Sequence, residues 1–351
     1  MSAVIGASHV LCAIGNGTEQ VWAAARAGIA RIGTSHVMDR HFEPIPMGRV
    51  PEDSLGELTP DIEKLPLPSR ARRMLRLAAP SFRSVAAGVQ GEVVVFIGLP
   101  ELSHQEAPWM KHVPGYLQLL TGATVDRARS IVVPQGRAAA LIALERALQF
   151  LESDPEAHVI VGGVDSFLDL RLLANLDAEE RILGPRVMDG FIPGEGAAFY
   201  RLTGSNVAAA ANGKQVIVPA AASTMDPGHR YGQEPAKGEG LAAAVSAVRG
   251  RMPASAPIAT TFAGFNGESF DAKLWGIARL RHQDFFAPGM LIEHPADKFG
   301  DTGAATGAVL VSLAATAMAT GTRSGPTLVW SASDRESRAC AVLAVESAEI
   351  S

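Results

Sequence analysis

Ser130-Ile131-Val132-Val133-Pro134-Gln135-Gly136-Arg137-Ala138-Ala139-Ala140-Leu141-Ile142-Ala143-Leu144 is the stretch from which the architecture follows. A β-branched run gives way at Pro134 and Gly136 to a stretch with Leu141, Leu144, Leu148 and Leu151 at helical spacing. The segment reads as strand, turn and helix. Similar apolar runs recur at 91–98, 158–164, 197–200, 215–219, 258–262, 327–331 and 339–345. Helical patterns fall between them at 18–27, with Thr18 as a candidate cap, and at 238–248 and 271–280. Strands that are apolar without a break are covered on both faces, as in sheets sandwiched by helices. The alternation gives a layered α/β fold.

The chain has 351 residues, 47% apolar and 19% charged, which is ample for a large core and too apolar for disorder. Its formal net charge is -5, with charges dispersed, so it lacks the basic footprint of a nucleic-acid binder. The two cysteines, Cys12 and Cys340, lie far apart, which excludes a disulfide framework or a CxxC knuckle. The nine histidines show no metal-ligand spacing. The opening residues lack the basic region of a secretory signal, and the expected setting is the cytoplasm. Residues 302–322 carry no charge and are long enough to span a bilayer. Their Ala, Gly, Thr and Ser content fits a helix buried inside protein instead, so no membrane is expected.

A composition shift at 203–213 reads as a connection between halves, giving lobes at 1–205 and 206–351. Each holds a long Ala-rich helix flanked by strands, 136–151 in the first and 302–319 in the second. Residues 42–73, rich in Pro and charge, read as a surface excursion.

Several motifs occur in one order along nearly the whole chain. Ala13-Ile14-Gly15-Asn16-Gly17 precedes Val21-Trp22-Ala23-Ala24-Ala25-Arg26-Ala27-Gly28. Val161-Gly162-Gly163-Val164-Asp165-Ser166 and Asp189-Gly190-Phe191-Ile192-Pro193-Gly194-Glu195-Gly196-Ala197-Ala198 follow. Then come Asp226-Pro227-Gly228-His229 with Lys237-Gly238-Glu239-Gly240, and Gly300-Asp301-Thr302-Gly303-Ala304-Ala305-Thr306-Gly307. The ordered set resembles the β-ketoacyl synthases. That resemblance implies the thiolase-like fold: five alternating layers, αβαβα, in two pseudo-symmetric lobes, usually as a homodimer. It also implies a cysteine nucleophile at a buried helix N-terminus, two polar groups, commonly histidines, that promote decarboxylation, and a glycine-rich oxyanion loop.

The chain departs from the pattern at each of those places. Aligned on its Ala and Leu spacing, Arg137 stands where the cysteine belongs, and guanidinium stays protonated and cannot attack a thioester. The first histidine position falls between Thr260 and Gly264, with Asn266 just beyond, and none of these is histidine. The second falls on Asp301, and the family's lysine on Ala296. The last turn, Ser331-Ala332-Ser333-Asp334-Arg335-Glu336-Ser337, carries charge in place of a glycine-rich loop. Cys12 and Cys340 read as buried, inert thiols. Gly194-Glu195-Gly196 reads as a tight turn before a strand.

Two arrangements stay open for the replaced pair. Arg137 and Asp301 form an ion pair across the cleft, or Arg137 snorkels to solvent while Asp301 caps the helix beginning near Thr302. The expected function is that of a catalytically inactive ketosynthase-like pseudoenzyme, a binding, scaffold or accessory partner. It would form a homodimer, or a heterodimer with another ketosynthase-like chain. A further resemblance, to short ketosynthase-like proteins that accompany bacterial secretion machinery, implies an unknown protein partner in that setting. The alternative is an acyl-thioester-binding protein or an acyltransferase with a non-standard site. Asn266, Glu268 and Asp301 would then line a polar cleft, and the Ala-rich helices would border an acyl tunnel. Neither reading calls for a cofactor or a metal.

Overall fold

A computed structural model of the chain describes residues 2–102, 107–204, 214–252 and 257–347. The first half supplies five strands: β1 (Ala3–Cys12), β2 (Val93–Gly98), β3 (Ile131–Val133), β4 (His158–Ser166) and β5 (Glu195–Gly204). The second supplies β6 (Lys214–Met225), β7 (Ile258–Ala263), β8 (Phe286–Glu293), β9 (Thr327–Ala332) and β10 (Ser337–Ser347). They run β8-β7-β9-β10-β6-β1-β5-β4-β2-β3 across one 11-stranded sheet, completed by the two-residue strand Gly15–Asn16 folding back on β1. Within each half the order is third, second, fourth, fifth, first. The inner pairs β2–β4 and β7–β9 are parallel, and the fourth–fifth and fifth–first pairs antiparallel. This is the α/β architecture expected, in two pseudo-symmetric lobes. The halves meet where Ala3 and Val4 pair with Val218 and Ile217. The expected boundary between residues 205 and 206 lies outside the described residues.

Alternate residues of each strand face different cores. Val94, Phe96, Val159, Val161, Ala198 and Tyr200 of one half, and Val329, Ala339, Ala341 and Leu343 of the other, enclose two central helices, α4 (Ala139–Ser153) and α8 (Thr306–Ala319). The opposite face of the first half packs on α2 (Ser69–Ala86). That of the second packs on α6 (Glu239–Arg249) and α7 (Ser269–Arg281). Helix, sheet, helix, sheet, helix make five layers. Burial of α8 accounts for its uncharged sequence, and among the described residues no helix is long and apolar enough to cross a membrane.

The central helices start alike. Gly136–Ala138 and Gly303–Ala305 are single 3-10 turns, each opening on a glycine with positive φ (64° and 54°), and the α-helix follows. The helices therefore begin three to four residues later than the pattern at 136 and 302 suggests. Both starts press on strands at glycines. A Cβ on Gly98 would lie 2.5 Å from Ala140 N, and one on Gly163 2.5 Å from Ala304 O.

Two further expectations need correction, those for residues 42–73 and Thr18, and three elements lie where the sequence pattern predicts none. Residues 42–73 are not merely a surface excursion: Ile45, Met47, Val50 and Ile62 are buried, and from Ser69 the chain is helical. Pro68 and Pro80 disguised that helix. Pro80 has no N–H for the Arg76 carbonyl, and Gly56 N–H donates to it instead at 2.8 Å, so a distant segment repairs the helix. Edge strand β8 went unread because Pro288 and Gly289 interrupt it at a bulge. Helices α3 (Val113–Thr121) and α5 (Leu170–Ala178), short and only partly buried, also went unread. In α1 (Thr18–Arg26), Thr18 lies inside the helix, and its hydroxyl accepts from Ser8 Oγ at 3.2 Å rather than capping.

Gly163→Ala will lower stability by about 2 kcal/mol or more, because the added methyl meets backbone that cannot rotate away. Gly184→Ala, with open space around its Cβ, will be near neutral; urea unfolding midpoints compare the two.

Candidate functional site

Arg137 lies in the turn that opens α4 and is 5% exposed. A cation there opposes the helix dipole, and unpaired burial would cost several kcal/mol. Asp301, in the turn ahead of α8, answers it: Arg137 Nε donates to Asp301 Oδ2 at 2.6 Å. Asp301 Oδ1 accepts from Gly303 N–H at 2.8 Å. The ion pair forms and Arg137 stays buried, while Asp301 does not cap α8: it accepts from the N–H that opens the 3-10 turn, three residues ahead of that helix.

The pair belongs to a larger buried network. Arg137 Nη1 donates to Asp334 Oδ1 at 2.8 Å. Arg181, just after α5, donates through Nε and Nη2 to the two oxygens of Glu268 at 2.9 and 2.8 Å, a fork-to-fork pairing. It also reaches Asp334 at 2.9 and 3.0 Å. Arg230 Nη2 lies 3.1 Å from Glu268. Asn266 Nδ2 donates to Glu268 Oε2 at 2.9 Å and to Asp301 Oδ2 at 3.2 Å. The Phe191 ring lies under both guanidiniums, 5.1 Å from Arg137 and 5.4 Å from Arg181. Arg137 and Arg181 come from the first half, while Glu268, Asp301 and Asp334 come from the second. The network therefore ties the lobes together.

The closing turn is equally committed. Arg338 Nη1 donates to the carbonyls of Ser333, Arg335 and Ser337, fixing the loop that presents Asp334. Ser331 Oγ donates to Arg137 O at 3.0 Å. Ala138 N–H, which a helix N-terminus would offer to an oxyanion, is taken by Ser333 Oγ at 3.0 Å. Asp165 and Glu195, both in quoted motifs, are buried and paired to Arg70 and Arg73 at 2.7 and 2.6 Å.

Charge pairing and burial move the titrations apart. Burial alone would raise Asp334, but the Arg137, Arg181 and Arg230 guanidiniums outweigh it and hold the carboxyl well below its usual range. Asp271, in the first turn of α7, is pushed up to about 7 by burial, which Arg137 only partly offsets. Glu101 is also pushed up to about 7, by burial and then by the Asp334 charge. Arg137, Arg181, Asp334 and Glu101 border a cleft of about 370 Å³.

Of the residues singled out in the sequence, Arg137, Asn266, Glu268 and Asp301 are brought together. Gly264 stands at the end of β7 against Trp330 O and Ser331. Thr260 lies four residues back along the strand, roughly 13 Å away. Arg181 and Arg230 were missed. Arg181 is 87 and 153 positions from its partners and carries no local signal. Cys12 and Cys340 are fully buried in strands and outside the cleft lining. Burial pushes Cys12 up to about 12 and raises Cys340 as well, which disfavours the thiolate form of both. An apolar cavity beside α8, lined by Ala263, Phe265, Phe299 and Leu310 among others, holds only about 10 Å³, no more than one water. Among the described residues no group of three or more His, Cys, Asp or Glu is placed to hold a metal.

No protein-family model matches this sequence, and no curated protein matches it. Solved structures do. The chain is similar to the ketosynthase from module 6 of the bacillaene synthase from Bacillus subtilis 168, at 14% identity and TM-score 0.77, covering 98% of this chain and 72% of that one. It is similar to a ketosynthase in complex with its chain length factor from Xenorhabdus doucetiae, at 15% identity and TM-score 0.73, covering 98% of both. A type II PKS acyl-carrier protein in complex with its ketosynthase gives 14% identity and TM-score 0.76, covering 98% and 99%. The chain has the thiolase-like fold of the ketosynthases.

Asp301→Asn will cost about 3 kcal/mol, because Arg137 stays buried with half its pairing removed. Arg137→Met added to it will restore most of the loss, as urea denaturation of the double-mutant cycle will show. Asp271 works in the opposite sense to a paired carboxylate. Its folded value lies above the unfolded one near 4, so its contribution is full below about pH 4 and is lost as pH rises through 7. Asp271→Asn will therefore stabilise the fold more at pH 8 than at pH 5, by on the order of a few kcal/mol in unfolding free energy, read from urea denaturation at the two pH values.

Proposed function

We propose that this chain is a ketosynthase-fold protein that does not condense thioesters and acts as a binding, scaffold or accessory partner. One observation carries the reading: the start of α4 holds a buried, permanently charged guanidinium tied to Asp301 and Asp334, where the resemblance calls for a nucleophile. The Ala138 N–H is already satisfied, so a developing oxyanion finds no free donor there.

The partner is best sought among ketosynthase-like chains. One structure similar to this chain is a ketosynthase in complex with its chain length factor. Here that implies pairing with another ketosynthase-like subunit, or with a second copy. The resemblance adds an accessory role beside bacterial secretion machinery in the cytoplasm. An acyl-thioester-binding role is less well supported, because the apolar cavity beside α8 is too small for an acyl chain.

Incubation with malonyl and acyl thioesters will release no thiol and leave the intact mass of the chain unchanged. Turnover that disappears in Asp301→Ala would overturn the proposal. Co-purification from the native host is expected to give one stoichiometric protein partner.

A further inference from the structure

A cap of residues 33–47 and 167–191 surrounds its own small core, Ile45, Met47, Phe167, Leu173, Leu176, Ile182 and Phe191. Its outer surface is unusual. Phe42 (89% exposed) and Met188 (84%) are the two most exposed large apolar side chains among the described residues, and Met38 and Leu170 of the same cap are exposed as well. Between the Phe42 turn and the Met188 loop lies a groove of about 290 Å³. Pro46, Ile182, Leu183 and Val187 contribute apolar lining, and the four carboxylates of Asp39, Glu43, Asp177 and Glu180 outnumber the two guanidiniums, Arg40 paired with Glu180 and Arg186 with Glu43, so the lining stays net acidic. Across the cap, seven carboxylates face four arginines, one of which, Arg181, is buried in the ion-pair network. Much of the chain's net charge of -5 is therefore concentrated here.

The exposure of Phe42 is built in. Its φ is 63°, and Glu180, at 54°, is the other non-glycine residue with positive φ among those described. Asp39 holds the turn: its N–H donates to Glu43 O, and its Oδ1 accepts from His41 and Glu43 N–H, each at 2.8 Å. Arg40 fastens the turn to the end of α5, N–H to Asp177 Oδ2 at 2.8 Å and Nη2 to Glu180 Oε1 at 2.6 Å. A bulky residue held in the left-handed region with its ring in water is a cost that the fold's own packing does not explain.

We infer that this groove, with Phe42 and Met188 next in sequence to its lining residues, docks a short basic segment of a partner protein, apolar anchors in the groove and Lys or Arg against the rim. Charge selects the occupant. Nucleic acid and anionic membrane would be repelled, and a second copy would set acidic rim against acidic rim. The inference stands apart from the Arg137 network and holds whether or not that site is inert.

The test uses the full chain and a fluorescent 14-residue peptide of Leu and Lys at helical spacing, with a Leu and Glu counterpart as control. The Lys peptide is expected to bind, to weaken in high salt, and to protect residues 38–46 and 177–189 from hydrogen exchange. Glu43→Lys should weaken binding at least about fivefold. Phe42→Gly should do the same while leaving the melting temperature equal or higher, since glycine adopts φ 63° without strain. A merely structural Phe42 would instead lower it. Protection elsewhere, equal binding of the Glu peptide, or unchanged affinity in both variants overturns the inference. So does self-association lost in Phe42→Gly, or binding of phosphatidylserine vesicles at this patch.

Discussion

A guanidinium buried at the start of a helix is the constraint around which the middle of this protein is organised. Arg137 meets the positive end of α4 and is 5% exposed, so it persists only with anions in direct contact. Asp301 and Asp334 supply them from the other half of the chain. Their charges in turn bring in Arg181, Arg230 and Glu268, and the result is a network rather than a pair.

The surrounding fold permits this because the central helices come so close. Gly98 and Gly163 leave room for the helix starts to touch the strands, and the two 3-10 turns bring Arg137 and Asp301 face to face. A geometry suited to placing a nucleophile beside polar groups thus places a cation beside carboxylates. Those ion pairs join residues of the two halves. Ser333, Ser331 and Arg338 hydrogen-bond the backbone groups around the cation: Ala138 N–H, Arg137 O and Ser333 O.

A locked centre directs attention to the surface. The cap beside the network is held by its own core and by Asp39 and Arg40, and it presents Phe42 and Met188 outward at some conformational cost.

The sequence by itself determined the layered α/β plan, because strands with no polar face, such as Val93–Gly98, must be covered on both sides. It also determined the burial of α8, whose small residues suit close helix packing, and the absence of a nucleophile at Arg137. Chemistry of that kind is local and can be read one residue at a time. Tertiary structure alone decided the rest. It showed that α2 survives Pro80, because Gly56, 20 or more positions away, supplies the missing donor. It showed that Arg137 pairs rather than snorkels. It brought Arg181 to Glu268 and Asp334 across 87 and 153 positions. Such contacts depend on where the lobes dock, and no spacing along the chain encodes a distance between lobes.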